Sequence, residues 1–462
     1  MKKFFVVMLI ASAASLSAEV TVGGLVDMAV VPFQYIRNKD TDPARPGLPG
    51  QEGTVIGAGA GRFESGQGPR ARLDLRASYN DVIGMRARIQ ARTDGIGIED
   101  YLQAWWRPAD WLRLDAGRFF EDKLRGKFND MDERMNDYTV RMYDADSIFS
   151  RFRTHRYGGQ AGIMLSLTPV ENLYLSALLY DLLPFTVSAG PGVIFDAHPQ
   201  YAANNDDAFR NIQAAAAWTV PDTALFRVQY LGAKQQVAIS RITDETALLP
   251  YTYNFYTFSI TAPRFEAAAA YTGIPGLTVD IGCKIPLPFK DWTRSVTDIF
   301  IVEDEADITD TAYLSYKNNH IWQAPYQAAL GAKYVFNDIE IAGKADAKFG
   351  GSMKGTKSEM YFPFEVNVHL WPSYNLGFAT VILDFGYEYI GPTLDENKKV
   401  VQDGEPMALN GGSRIGLGIS IQKNFFAGSL LKGGVAFKLP GTVNSVDEKM
   451  VISIPLFVDF TF

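Results

Sequence analysis

The sequence predicts an all-β fold, a single transmembrane antiparallel β-barrel of about eighteen strands. Three observations point there. Apolar and polar residues alternate with period 2 over segments of about ten residues. Tight turn signals alternate with long polar connections along the whole chain. Beyond a short N-terminal apolar run, no stretch of about 18 uninterrupted apolar residues occurs, so no transmembrane helix is expected in the mature chain.

Composition narrows the class without deciding it. The chain has 462 residues, with 44 Lys+Arg against 52 Asp+Glu and a formal net charge of -8. An acidic chain lacks the basic footprint that nucleic-acid binding needs, so no nucleic-acid partner is expected. Hydrophobic residues make up 47 % and aromatics 13 %, yet the mean hydropathy is -0.05. That balance suits apolar residues dispersed by alternation, although an ordinary soluble β-protein has the same composition. Residues 1–18 read as a signal peptide. Lys2 and Lys3 open it, Phe4 to Ala14 is an apolar run too short to span a bilayer, and Ser15-Leu16-Ser17-Ala18 supplies small residues around a cleavage point. Cleavage is expected after Ala18, with Ser17 as the alternative because Leu16 is bulky for such a site. No cysteine lies nearby, which removes a lipid anchor on an N-terminal Cys. Cys283 is the only cysteine, so no intramolecular disulfide can form.

Residues 19–462 read as one domain, without repeats, linkers or a break in composition. Ala71, Leu73, Leu75, Ala77 and Tyr79 alternate with Arg70, Arg72, Asp74, Arg76 and Ser78. Met85, Ala87, Ile89 and Ala91 alternate with Arg86, Arg88, Gln90 and Arg92, and Ile415, Leu417, Ile419 and Ile421 alternate with Arg414, Gly416, Ser420 and Gln422. Tight turns are expected at Asn80-Asp81, 107–110, 168–172, Pro221-Asp222, 273–276, Asn337-Asp338, Pro372-Ser373 and 424–427. The long connections are 32–69, 93–97, 120–155, 182–206, 235–252, 288–322, 350–358, 390–411 and 440–448. Loops this segregated by length mark a bacterial transmembrane barrel, and an even strand count puts both termini on the tight-turn side. The least regular strand is 253–272, where the apolar parity flips at Pro263 and a bulge is expected. Losing that hairpin would leave about sixteen strands.

In such a barrel the apolar face meets lipid and the polar face lines the lumen. Aromatics near strand ends, among them Tyr79, Trp106, Trp111, Trp218, Tyr271, Tyr334 and Phe336, suit interfacial girdles. Arg70, Arg72 and Arg76 then lie beside Arg86, Arg88 and Arg92 in the lumen, with Asp74 opposite Arg86 or Arg88, and Arg113 and Asp115 extend the stripe. Six arginines on two paired strands need water or partners, because each would cost about 2–4 kcal/mol in lipid near the midplane. A solvated face that merely keeps the lumen wet explains them as well as a selective role does.

Two features carry a family resemblance. Ile452, Ile454, Leu456, Val458, Phe460 and Phe462 lie on one face of the last segment, which resembles the aromatic-ending terminal strand of bacterial outer-membrane proteins. The resemblance assigns Phe460 and Phe462 to recognition by the barrel-assembly machinery and the chain to the bacterial outer membrane. Connection 120–155 is dense in charge of both signs, and here the chain resembles the general diffusion porins, whose third external loop narrows the barrel opposite an arginine ladder. That resemblance implies a channel for small polar solutes, a homo-oligomer (a trimer), and Asp130, Asp132 and Glu133 facing Arg72, Arg76, Arg86 and Arg88. The enterobacterial acidic loop signature is absent, and sugar-specific porins of about eighteen strands are as close in size. A channel for sugars or apolar compounds therefore stays open, as does a barrel that serves as an adhesin. A sugar slide would draw on Tyr101, Trp105, Tyr174, Tyr180 and Tyr361, which form no clear stripe. Catalysis and cofactors are not expected. His155, His198, His320 and His369 lack metal-ligand spacing, and no Gly-x-Ser-x-Gly elbow occurs. Deleting Phe462 should lower the amount of barrel assembled in the membrane while leaving the conductance of assembled molecules unchanged; wild-type membrane yield on immunoblots would contradict the assignment.

Overall fold

The computed structural model describes residues 19–37, 53–61, 70–92, 95–121, 157–180, 186–188, 193–196, 212–232, 234–244, 251–261, 263–290, 294–295, 298–301, 316–317, 321–354, 359–400, 411–426, 428–439, 441–443, 446–448 and 450–461. The alternating segments pair with their chain neighbours into a closed antiparallel barrel of 18 strands. In order these are β1 Glu19–Arg37, β2 Arg70–Tyr79, β3 Ile83–Arg92, β4 Gly95–Ala109, β5 Leu112–Glu121 and β6 Tyr157–Val170. There follow β7 Leu173–Tyr180, β8 Ile212–Val220, β9 Ala224–Leu231, β10 Arg264–Tyr271, β11 Leu277–Pro286 and β12 Tyr326–Phe336. The last six are β13 Ile339–Phe349, β14 Glu365–Leu370, β15 Thr380–Ile390, β16 Gly412–Lys423, β17 Ser429–Lys438 and β18 Met450–Thr461.

Closure is made by β1, which pairs with β2 from Glu19↔Ser78 to Asp27↔Arg70 and with β18 from Leu25↔Thr461 to Arg37↔Met450. Pro455 in β18 has no N–H to give. The β1–β18 register shifts between Val30 and Phe33, opposite that proline and beside Pro32, so the ladder irregularity sits where donors are missing.

The tight turns lie together at one end, and their chemistry follows from backbone handedness. Asn80 and Asp81 both adopt positive φ (47° and 54°), the pairing a type I′ hairpin turn needs, and Val82 N donates to Tyr79 O at 2.9 Å. Asn172, Asp222 and Asn337 take the same left-handed conformation at the corresponding turns.

The structure corrects three expectations about connections. The turn expected at Pro372-Ser373 lies at Leu376–Ala379 instead. Pro372 interrupts β14, a short strand Ser373–Asn375 resumes pairing with Ile339 and Glu340, and Gly377 (φ 84°) turns the chain. The stretch 253–272 is not one bulged strand. It divides into Tyr251–Thr261 and β10, with Pro263 between them. Tyr251–Thr261 pairs with Lys234–Asp244 in a separate five-stranded sheet with Thr186–Ser188, Val193–Asp196 and Asp298–Ile301. The long connections therefore carry strands of their own, and Gly53–Gly61 likewise pairs with the outer part of β1. Alternating, β-branched and aromatic residues such as those of 251–261 favour strands wherever a partner edge is free.

The two barrel faces differ as the alternation requires. Along β15, Ile382, Asp384, Gly386, Glu388 and Ile390 are buried, whereas Leu383 and Tyr389 are exposed. On β6, Met164 and Ser166 point in, and Ile163 and Leu165 point out. The outward residues form an apolar band. Tyr79, Trp106, Trp111, Trp218, Tyr271, Tyr334, Phe336, Phe378, Phe425 and Phe426 edge it at the turn end. Tyr230 packs on Phe265 (5.2 Å) and Tyr326 on Phe349 (6.0 Å) at the other end. At a rise of about 3.4 Å per residue and a tilt near 40°, Tyr326 to Tyr334 spans roughly 20 Å of membrane. Phe460 is exposed in this band and stacks on Phe426 at 6.0 Å, whereas Phe462 lies outside the described residues. Replacing Leu330, an exposed residue midway along β12, with Arg should destabilise the barrel by about 2–4 kcal/mol relative to Leu330→Ala. Reversible urea unfolding in lipid vesicles measures this.

Candidate functional site

The lumen wall of β2–β5 assembles the charged cluster. The register resolves which partners meet: Asp74 lies opposite Arg88, Arg72 opposite Gln90, and Arg76 opposite Arg86. Asp74 serves two guanidinia, accepting from Arg88 Nε at 2.9 Å and Arg86 Nη2 at 3.3 Å. Arg72 donates to Gln90 Oε1. The Arg76↔Arg86 pair sets two like charges directly across a ladder, an unfavourable arrangement unless the side chains part. They do part. Arg76 reaches Asp81 at 3.0 Å at the turn, whereas Arg86 turns to Asp74. On β5, Arg113 grips Asp115 at 2.7 Å, and Gln103 of β4 donates to the same carboxylate at 2.6 Å.

Two aromatic rings of β4 lie under these cations. Arg86 Cζ stands 3.8 Å and Arg88 Cζ 4.8 Å from the Tyr101 ring centre. Arg76 Cζ and Arg113 Cζ stand 5.2 Å and 5.1 Å from that of Trp105. Trp105 pairs with Gly84, and a Cβ built on that glycine would come within 2.2 Å of the indole. The missing side chain at Gly84 is therefore what lets the indole lie across β3. Tyr101 and Trp105 are buried and capped by guanidinia, Tyr174 bonds to Ser166 at 3.0 Å, and Lys398 Nζ sits 2.8 Å above the Tyr361 ring. Tyr101 and Trp105 thus present no bare face to a sugar, and the side chain of Tyr180 lies outside the described residues.

Exposure on this wall is greatest at arginines and least at Asp115, with Arg88 more covered than its partner Asp74. The side chains of Arg76, Arg86, Arg88 and Arg113 are 50, 33, 15 and 33 % exposed, against 26 % for Asp74 and 0 % for Asp115. Around the rest of the lumen, the charges of the described residues are mostly tucked into the wall. Glu266 accepts from Arg264 Nε and Gln229 Nε2, both at 2.7 Å, Lys344 lies 3.7 Å from Asp346, Asn367 donates to Asp346 at 3.2 Å, and Lys348 pairs with Glu365 at 2.8 Å. Asp280, Asp384, Glu388, His369 and Lys432 are buried on the same face. Beside the arginine wall the lumen face carries an apolar cluster of Tyr101, Phe119, Met164, Leu178, Ala215 and Ala217, with Tyr174 against it.

Arg72, Asp74, Arg76, Arg86, Arg88, Arg113 and Asp115 are thus brought together. The backbones of Arg70 and Arg92 lie at the long-connection ends of β2 and β3, and Arg414 sits opposite Glu388 in the register. Their side chains, with all of Asp130, Asp132 and Glu133, lie outside the described residues. Sequence reading missed the paired charges of β10–β15 and the capping role of Tyr101 and Trp105. The first were visible as polar-face residues on alternating strands, but the second depends on rotamers that alternation does not encode.

Fold and lumen together define a membrane-spanning β-barrel of the bacterial outer-membrane type, with an apolar band outside and a charged wall inside. No protein-family model and no curated protein matches the chain. Among solved structures it is similar to the anion-selective porin from Comamonas acidovorans, at 11 % identity and a TM-score of 0.44 over 96 % of this chain and 100 % of that one. It is also similar to OpdQ of Pseudomonas aeruginosa, at 9 % and 0.43 over 96 % and 98 %. A third is the outer-membrane channel DcaP of Acinetobacter baumannii, at 10 % and 0.37 over 97 % and 98 %. Substituting Gly84 with Ala should destabilise the barrel by about 1–3 kcal/mol, because the new methyl must displace the Trp105 ring or the Ala77 carbonyl. Urea unfolding followed by tryptophan fluorescence measures it.

Proposed function

We propose that the chain is a passive outer-membrane channel for small hydrophilic solutes with a weak preference for anions. One observation carries this reading: on the β2–β5 wall four guanidinia stay in contact with the lumen, while the neighbouring Asp115 is sealed under Arg113. Overall the chain is negative, which alone would favour cations. A solute in a water-filled constriction responds to nearby accessible charge, because fields focus there and are screened beyond about 8–10 Å at ordinary salt. The capped rings of Tyr101 and Trp105 weigh against a sugar slide.

The charged segment 120–155 leaves the barrel from β5 and returns at β6, next to the arginine wall. In this reading it bends inward, and Asp130, Asp132 and Glu133 face the arginines across the narrow part. The partners are outer-membrane lipid around the apolar band, the barrel-assembly machinery at β18, small polar solutes in the lumen, and other copies of the chain in a trimer.

Replacing Arg76, Arg86, Arg88 and Arg113 together with Ala should move the reversal potential under a salt gradient towards the cation limit, with a smaller change in conductance. An unchanged reversal potential would mean that these side chains do not line the narrow part, and the reading would fall.

A further inference from the structure

Arg72, Arg76, Arg86, Arg88 and Arg113 crowd the lumen wall on β2, β3 and β5, and Arg76 and Arg86 occupy directly opposed positions. Like charges so placed repel, and a flexible guanidinium has many ways to escape into the water of the lumen. The structure holds them otherwise. Each of the two rings of β4 takes one pair: Tyr101 takes Arg86 and Arg88, and Trp105 takes Arg76 and Arg113. The opposed Arg76 and Arg86 are thereby assigned to different rings. Trp105 also links β2 to β5 across the two strands between them. Both rings are buried, and the one beneath Arg76 and Arg113 fits only because position 84 has no Cβ. A ring face attracts a cation within about 6 Å through its quadrupole, and a guanidinium resting on it can still donate from its edge, here to Asp74, Asp81 and Asp115.

We infer that Tyr101 and Trp105 are positioning residues for anion selectivity: they hold the four guanidinia at fixed places on the wall, and so set the preference that the arginine charges alone would leave diffuse. This rests on the arginine wall being the selectivity element, as proposed above. The solutes it favours are small anions, drawn by the positive charge that the four guanidinia hold at the wall.

The test uses the full-length protein refolded and reconstituted in planar bilayers, with reversal potentials read under gradients of potassium chloride and of potassium acetate. Tyr101→Leu and Trp105→Leu remove a ring and no charge. The pair together should move the reversal potential towards the cation limit by at least half the shift given by the four-arginine variant, whereas Tyr101→Phe and Trp105→Phe should keep the wild-type value. Folding is checked by heat-modifiable electrophoretic mobility. Should the Leu variants fail to fold, fluorinated tryptophans at position 105 keep the ring's shape while draining its quadrupole, and anion preference should then fall stepwise with each added fluorine. Folded Leu variants with wild-type selectivity, or a flat fluorination series, would overturn the inference and leave the channel reading standing if the four-arginine variant still shifts. If that variant does not shift either, the channel reading itself fails.

Discussion

A chain segment in hydrocarbon has no water to satisfy its N–H and C=O groups, and each unpaired group costs several kcal/mol. Strands meet that requirement only if the sheet has no edge. In this molecule closure depends on one seam, where β1 joins β18 while its first half also pairs with β2. Other features follow from the closed sheet. Once strands encircle a lumen, alternation must place apolar residues outwards and polar ones inwards, and connections need only link neighbours. The prolines are placed in keeping with this. Pro455 and Pro32 share one irregularity of the seam, and Pro372 divides β14 from the short strand that follows.

Closure also confines charge. Polar side chains that would face bulk water on an open sheet face one another across a lumen or along its wall. The wall answers with two arrangements. From β10 to β15, acids pair with lysines and with Arg264 along and across strands and are largely buried. From β2 to β5, arginines outnumber the acids near them, and the excess is held on aromatic faces as well as on carboxylates. Guanidinium suits this arrangement better than ammonium because its flat face stacks while its edge still donates.

Much of the fold was legible because period 2 reports directly which face a residue occupies. The arginines of 70–92 were legible for the same reason, since a charged residue in the polar phase of such a strand has only the lumen to face. Register was only half legible. The turn Asn80-Asp81 limited Asp74 to Arg86 or Arg88, and in the structure one carboxylate serves both. Where alternation weakens, reading failed. The segment Leu173–Tyr180 is apolar on both faces, so Leu178 in the lumen phase gave no sign of the apolar cluster it joins. Pro372-Ser373 looked like a turn because proline marks turns more often than interruptions, and the pairing of 373–375 beyond it depends on β13, which lies elsewhere in the sequence. Tyr101 and Trp105 sat in the polar phase of β4, yet no local pattern says that a ring lies flat beneath a cation from another strand.

The central claim is that a water-filled lumen runs through this barrel and that its accessible charge is positive although the chain is negative. Single-channel recording of the wild-type protein in a neutral planar bilayer under a tenfold potassium chloride gradient tests it most directly. The account predicts discrete conductance steps and a reversal potential displaced towards the chloride equilibrium potential. No steps from protein that is folded by electrophoretic mobility, or a reversal potential displaced towards potassium, would contradict it.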